Sequence, residues 1–203
     1  MRTVAAFAFA LVVQDDAALR AEPTRDAVVH AALVQGDLLE MRGRRLDHLQ
    51  VWDHRRERAG YVAADQVRVL QMDPADAPSL RSVMRFLRDR PGAEALGIAY
   101  AAATLQALPA NVADAEPFDA IAEMAGRLAD RASAARGRDA ERVQRHLDAV
   151  GAYGVHFVSA EHDGRVTLCY EGDAARRVLA MLASPEAQAR AVLNTSTWPM
   201  ACR

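Results

Sequence analysis

Trp52 sits on a short apolar run with His48 and Gln50 at alternate positions, and Arg55, Arg56 and Arg58 follow it in a charged turn. An indole face beside guanidinium donors suits a sugar ring stacked on the aromatic and a carboxylate held by arginine, as in peptidoglycan, or an acidic protein segment. The competing arrangement buries Trp52 where two parts of the fold meet and leaves the arginines solvated, paired with Asp47, Asp53 and Glu57, because an apolar aromatic is more often packed than presented. A second constellation joins Cys169 to His146, His156 and His162, a nucleophile and a base if they meet in space. Nothing in their spacing requires that meeting. Cys169 stands mid-strand in an apolar hairpin, whereas activated thiols favour electropositive sites such as a helix start. No catalytic residue is assigned, and the chain reads as non-enzymatic. His30, His48 and His54 share no ligand spacing, so no metal site is expected. With no Gly-x-Ser-x-Gly, phosphate loop or dinucleotide fingerprint present, no cofactor is implied.

The elements that must position Trp52 are short strands. Gln14 to Pro23 reads as an apolar strand with a proline exit, and Val28 to Leu33 leads into the Gln35-Gly36-Asp37 turn, where glycine supplies the backbone freedom. Leu38 and Glu40 fall on one face of the next strand, Leu39 and Met41 on the other. Gly43-Arg44-Arg45 is expected to turn the chain. From Leu46 to Asp53 the alternation sets Leu49 and Val51 inward and His48, Gln50 and Trp52 outward. His54 to Arg58 makes a hairpin tip and Gly60-Tyr61-Val62 the return strand. Turn signals at this spacing predict a small barrel or meander.

In order, Ala18-Leu-Arg-x-x-Pro23, Leu33-x-x-Gly-Asp-x-x-Glu40, Leu49-Gln-Val51 and Ala59-Gly-Tyr-Val62, followed by Asp65-Gln-Val67, resemble bacterial SH3 domains. His48 stands where a tryptophan is common in that family, and Trp52 comes later. The whole chain is similar to SH3-domain proteins of Gram-negative bacteria that append a helical segment. The resemblance implies a small SH3-like β-barrel, export to the envelope and a binding role, toward peptidoglycan or an envelope protein. Because such domains accompany cysteine peptidases in cell-wall hydrolases, a hydrolase using Cys169 is the alternative from the enzyme class. A structural or assembly factor is the third.

After Val69 the apolar period changes from two to about 3.6. Leu80, Val83, Met84 and Leu87 share one helix face, which Pro91-Gly92 ends. A second helix carries Ile98, Ala102, Leu105 and Leu108 as a stripe. A third carries Phe118, Ile121, Ala122, Ala125, Leu128 and Ala129, and a fourth Val143, Leu147 and Val150. Asp163-Gly164 between two β-rich runs predicts a hairpin over residues 155–170, with Phe157 opposite Tyr170 and Val158 opposite Cys169. Helices over 174–182 and 185–193 close the chain, the second capped by Ser184. The fold class is therefore α+β: residues 14–70 a small SH3-like barrel, residues 71–203 a mainly helical domain with one hairpin.

Half of the 203 residues are hydrophobic, enough for a genuine core, which excludes a disordered chain. A net charge of -2 gives no general attraction to nucleic acid, and no apolar run is long enough to span a bilayer. All 25 basic residues are arginine, which beside the alanine richness reads as coding bias. Residues 1–13 join an early arginine, an apolar run and a small-x-small step at Ala8-Phe9-Ala10. They are expected to be the remnant of a signal peptide or else a first strand, and they point to periplasmic or other export. Cys169 and Cys202 permit a single disulfide between the body and the C-terminal tail. Oligomeric state has no signature in the sequence.

Overall fold

Two sheets, six α-helices and two single-turn 3-10 helices occupy the residues that the computed structural model describes, which are 8–109, 112, 114–162, 165–181 and 183–196. The chain separates into two units, Met1–Asp73 and Pro74–Arg203. The first unit contains β1 (Phe9–Val12), β2 (Ala17–Arg20), β3 (Val29–Leu33), β4 (Leu38–Arg45), β5 (His48–Asp53), β6 (Arg58–Ala63) and β7 (Val67–Leu70). They form one seven-stranded antiparallel sheet in the order β3-β2-β6-β5-β4-β1-β7. The segment expected to be leader or strand supplies β1, which pairs with both β4 and β7 and buries Ala10, Leu11 and Val12 completely. Residues 1–7 lie outside the described residues.

Alternation fills the core of this unit. Leu19, Leu39, Leu49, Val51 and Val62 point to one side and pack with Ala10, Val12 and Leu33. Each fully buried Leu or Val contributes about 1.5–3 kcal/mol. β5 pairs with β6 in unbroken register from His48↔Ala63 to Asp53↔Arg58, around the turn formed by His54 to Glu57. One expectation is corrected here. Gly43, Arg44 and Arg45 do not turn the chain; they extend β4, and the turn falls at Leu46-Asp47. A register shift between Met41 and Gly43 places the extra residue of a bulge inside the strand. Leu46 then takes the left-handed conformation, with φ 55°, and its side chain is exposed. A bulge lengthens a strand without changing its composition, so glycine and arginine there imitate a turn. Gly60 marks a close approach: an added Cβ would lie 2.7 Å from Leu19 Cδ1 and 2.9 Å from the Arg20 carbonyl oxygen.

The second unit holds α1 (Ala77–Arg88), α2 (Glu94–Ala107), α3 (Glu116–Ala134), α4 (Arg138–Gly151), a hairpin of β8 (Phe157–His162) and β9 (Arg165–Tyr170), then α5 (Asp173–Ala180) and α6 (Pro185–Ser196). The hairpin register is the expected one, Phe157↔Tyr170 and Val158↔Cys169, with the two rings 6.0 Å apart. Its Asp163-Gly164 turn lies outside the described residues. Ser184 Oγ accepts the Ala187 N–H at 3.2 Å, the expected cap of α6. α2 departs from its predicted stripe. Ala95, Ile98, Ala99, Tyr100, Ala101, Ala103 and Ala107 are all buried, so it is a central helix covered on several sides rather than an amphipathic one. At Gly97 the side chain of Met124 on α3 occupies the place a Cβ would take. No helix among the described residues is long and apolar enough to cross a membrane.

Ion pairs join these helices. Arg85 of α1 makes a two-bond contact with Glu116 of α3, Nε to Oε1 at 2.5 Å and Nη2 to Oε2 at 2.7 Å. Arg88 reaches Asp119 at 2.9 Å, and Arg190 of α6 reaches the same carboxylate at 2.6 Å.

Two outcomes test these packing arguments. Gly60→Ala is expected to destabilise the protein by about 1–3 kcal/mol, because the obstructing atoms include backbone, and a lowered urea midpoint checks it. The hydrogen bond from Arg85 holds the Glu116 carboxyl below its ordinary 4.5. A carboxyl lowered on folding contributes stability above its unfolded pKa and loses it as pH falls through the folded one. Glu116→Gln should therefore cost about 0.5 kcal/mol near neutrality, the scale of an exposed pair, and nothing at a pH of about 2. Equal losses at both pH values would reject this assignment.

Candidate functional site

The outward face of β4, β5 and β6 assembles the candidate site. Gln50 and Trp52 alternate with the buried Leu49 and Val51. Across the ladder Gln50 stands opposite Tyr61, and Trp52 opposite Ala59. Tyr61 and Trp52 are thus diagonal neighbours on one face, within reach of each other's rings. Both are half-buried and Gln50 is exposed, so two aromatic surfaces flank an amide that can donate and accept. On the other side of Trp52 its cross-strand partner is Glu40. The Glu40 carboxylate is buried, and its Oε2 meets Arg42 Nη2 at 2.9 Å and His54 Nε2 at 2.7 Å. His54 meets Trp52 edge-on, with ring centroids 6.4 Å apart. One buried carboxylate therefore fixes His54, which borders the indole, and also holds Arg42.

The six residues singled out from the sequence divide four ways. Gln50 and Trp52 share the exposed face. His48 belongs to the same strand face but is only 2% exposed, and its Nδ1 lies 2.7 Å from Asp47 Oδ1. That hydrogen bond holds the Asp47 carboxyl below its ordinary value. Arg58 falls opposite Asp53, on the other parity of the ladder from Trp52, and is exposed. Arg55 and Arg56 turn away toward buried acids. Arg55 Nη2 lies 2.7 Å from Asp37 Oδ1; Arg56 lies 3.4 Å from Asp37 and 2.6 Å from Asp53. Asp53 Oδ1 also accepts the backbone N–H groups of both arginines and so shapes the turn. The pairing expected with Asp53 is present, for Arg56; the second acid, Asp37, comes from the preceding turn, pairs closely with Arg55, and also accepts the Val34 N–H at 3.1 Å. Burial pushes the Asp37 carboxyl up against the pull of Arg55 and Arg56. Arg56 is held above its ordinary value: burial pulls it down, and its bonds to Asp53 and Asp37 outweigh that.

Tyr61 is the residue of this face that the sequence analysis left out of the site. Its signal was available: the spacing of the β5–β6 hairpin sets Tyr61 opposite Gln50.

The helical unit treats the second constellation differently. Cys169 is 4% exposed and disulfide-bonded, so in this state it carries no free thiol. Cys202, its expected partner, lies outside the described residues, as does the His162 side chain. His146 is 1% exposed, with Nδ1 3.0 Å from Arg131 Nη2, and His156 is exposed. Among the described residues no three His, Cys, Asp or Glu side chains converge as a metal site. Comparison with family models, curated proteins and solved structures gave no significant match.

Asp37→Ala leaves two guanidinium groups without their shared acid and is expected to cost about 2–3 kcal/mol, the partial exposure of both arginines moderating the loss. Urea denaturation measures it, and an unchanged midpoint would show that Arg55 and Arg56 are not structural.

Proposed function

We propose that this protein is a non-enzymatic binding protein of the bacterial envelope, with an SH3-like barrel in its N-terminal unit and cell-wall glycan as the ligand of the Trp52 face. The observation that carries the reading is the pair of half-buried rings, Trp52 and Tyr61, on one outward face with the exposed Gln50 beside them. A pyranose presents apolar C–H surfaces to aromatic rings and hydroxyl groups to an amide, and that arrangement offers both. Export fits the oxidised state of Cys169, since structural disulfides persist in oxidising compartments. The same state counts against a hydrolase built on that cysteine, because the thiolate is the nucleophile.

The ligand contacts differ from those first expected. Arg55 and Arg56 spend their donors on Asp37 and Asp53, so stacking and neutral hydrogen bonds carry recognition, and arginine at the hairpin tip contributes shape rather than a carboxylate clamp. Sedimentation with purified sacculi tests this directly. Wild-type protein is expected in the pellet, and Trp52→Ala combined with Tyr61→Ala should reduce retention on the order of tenfold or more, since each stacked ring contributes about 1 kcal/mol. Retention should respond little to added salt. Retention by the double variant equal to wild type would remove the face from consideration, and absence of any retention alongside crosslinking to an envelope protein would replace glycan by a protein partner.

A further inference from the structure

The helical unit contains a cavity of about 650 Å³ that the sheet reading does not use. Its walls come from α2 (Ala102, Leu105), α3 (Phe118, Ile121), the turn after α4 (Tyr153 to His156), Tyr170 of β9, and α5. The volume falls within the range of small-molecule sites. It exists because small residues face it: Ala102, Gly154, Ala174 and Ala180 leave space that larger side chains would fill.

The polar groups gather around α5. Asp173 is the only acid of the lining, and it is engaged by Arg176, which also donates to the Glu171 carbonyl at 2.5 Å. Tyr170 Oη accepts the Ala174 N–H at 2.7 Å, so that hydroxyl is fixed in place. Arg177 differs from its neighbour. Its guanidinium lies over the Phe118 ring at 5.2 Å, and among the described residues no carboxylate pairs with it. Arg176 and Arg177 against Asp173 leave the lining with one uncompensated positive charge, at the edge of an apolar chamber.

We propose that this cavity binds a small amphiphilic carboxylate, with its apolar body between Leu105, Phe118 and Ile121 and its anionic head on Arg177. An arginine held on an aromatic face keeps its donor edge available, and a carboxylate matches that edge with two parallel hydrogen bonds. The apolar body displaces water from walls that offer it few partners. This inference concerns the helical unit and does not rest on the function assigned to the sheet.

Calorimetric titration of the full chain with decanoate and with decanol, both below the concentrations at which they aggregate, tests it. Wild-type protein is expected to bind decanoate saturably at one site, tighter than decanol by on the order of tenfold, the worth of a charge-assisted contact. Arg177→Gln should bring decanoate to the affinity of decanol, and Arg177→Lys should restore part of the difference. Ala102→Phe should remove binding of both. If that variant does not fold, the Arg177 pair still decides, because Arg177 is exposed and its replacement leaves the core unchanged. No saturable binding of decanoate, equal affinity for acid and alcohol in the wild type, or an acid preference that survives Arg177→Gln would each overturn the proposal.

Discussion

A carboxylate taken out of water must find compensating charge and hydrogen bonds, and this chain, which has no lysine, answers that demand chiefly with arginine, helped by His54 and backbone N–H groups. Asp37, Glu40, Asp53, Glu94 and Asp119 are the buried carboxylates among the described residues, and each faces at least one guanidinium. The planar fork of arginine lets one acid serve several donors, which an ammonium point charge does less well. In the helical unit Asp119 receives Arg88 from α1 and Arg190 from α6, while Glu94 of α2 lies 3.2 Å from Arg131 of α3. Arg131 in turn meets His146 of α4. Apolar packing supplies the bulk of the stability, but the helices cannot slide past one another without leaving one of these charges unpaired.

That constraint also decides what the sheet can offer a ligand. Three arginines around Trp52 are engaged by buried acids: Arg55 and Arg56 by Asp37 and Asp53, Arg42 by Glu40. Two members of a cluster that resembles an anion clamp when written as a string are, in space, tied to the acids that shape their own turn. The face left over is nearly neutral and aromatic. Its chemistry is stacking and amide hydrogen bonding, which depends on shape and barely on ionic strength.

The parts legible from sequence are those set by neighbours a few residues apart. Alternation predicted Leu49 and Val51 inside, the Asp163-Gly164 pair in the sequence predicted the register found between Phe157 and Tyr170, and Ser184 marked a helix start. What was not legible depends on distant partners. Arg190 and Asp119 are 71 residues apart, Arg88 and Asp119 are 31, and Arg56 and Asp37 are 19, so no local pattern announces the pairs. The β4 bulge was hidden because one extra residue in a strand has no fixed composition. The stripe expected on α2 failed for a related reason. Alanine is apolar enough to be buried on any face and small enough to be written on any face, so a helix rich in it gives the periodicity argument little to measure.

Small residues produce opposite results in two places of the helical unit. At Gly97 the space left by the missing side chain is filled by Met124, a long flexible residue from the facing helix, and a close helix contact results. Around Ala102, Gly154, Ala174 and Ala180 the same smallness leaves a pocket open to solvent. Composition alone therefore does not decide between a tight interface and a cavity; the side chain delivered from across the gap does. The pocket opens to solvent, so its apolar walls meet water that finds few polar partners there. Those walls stand beside an arginine resting on an aromatic ring, so an occupant that covered them would also meet a charge that, among the described residues, has no carboxylate partner.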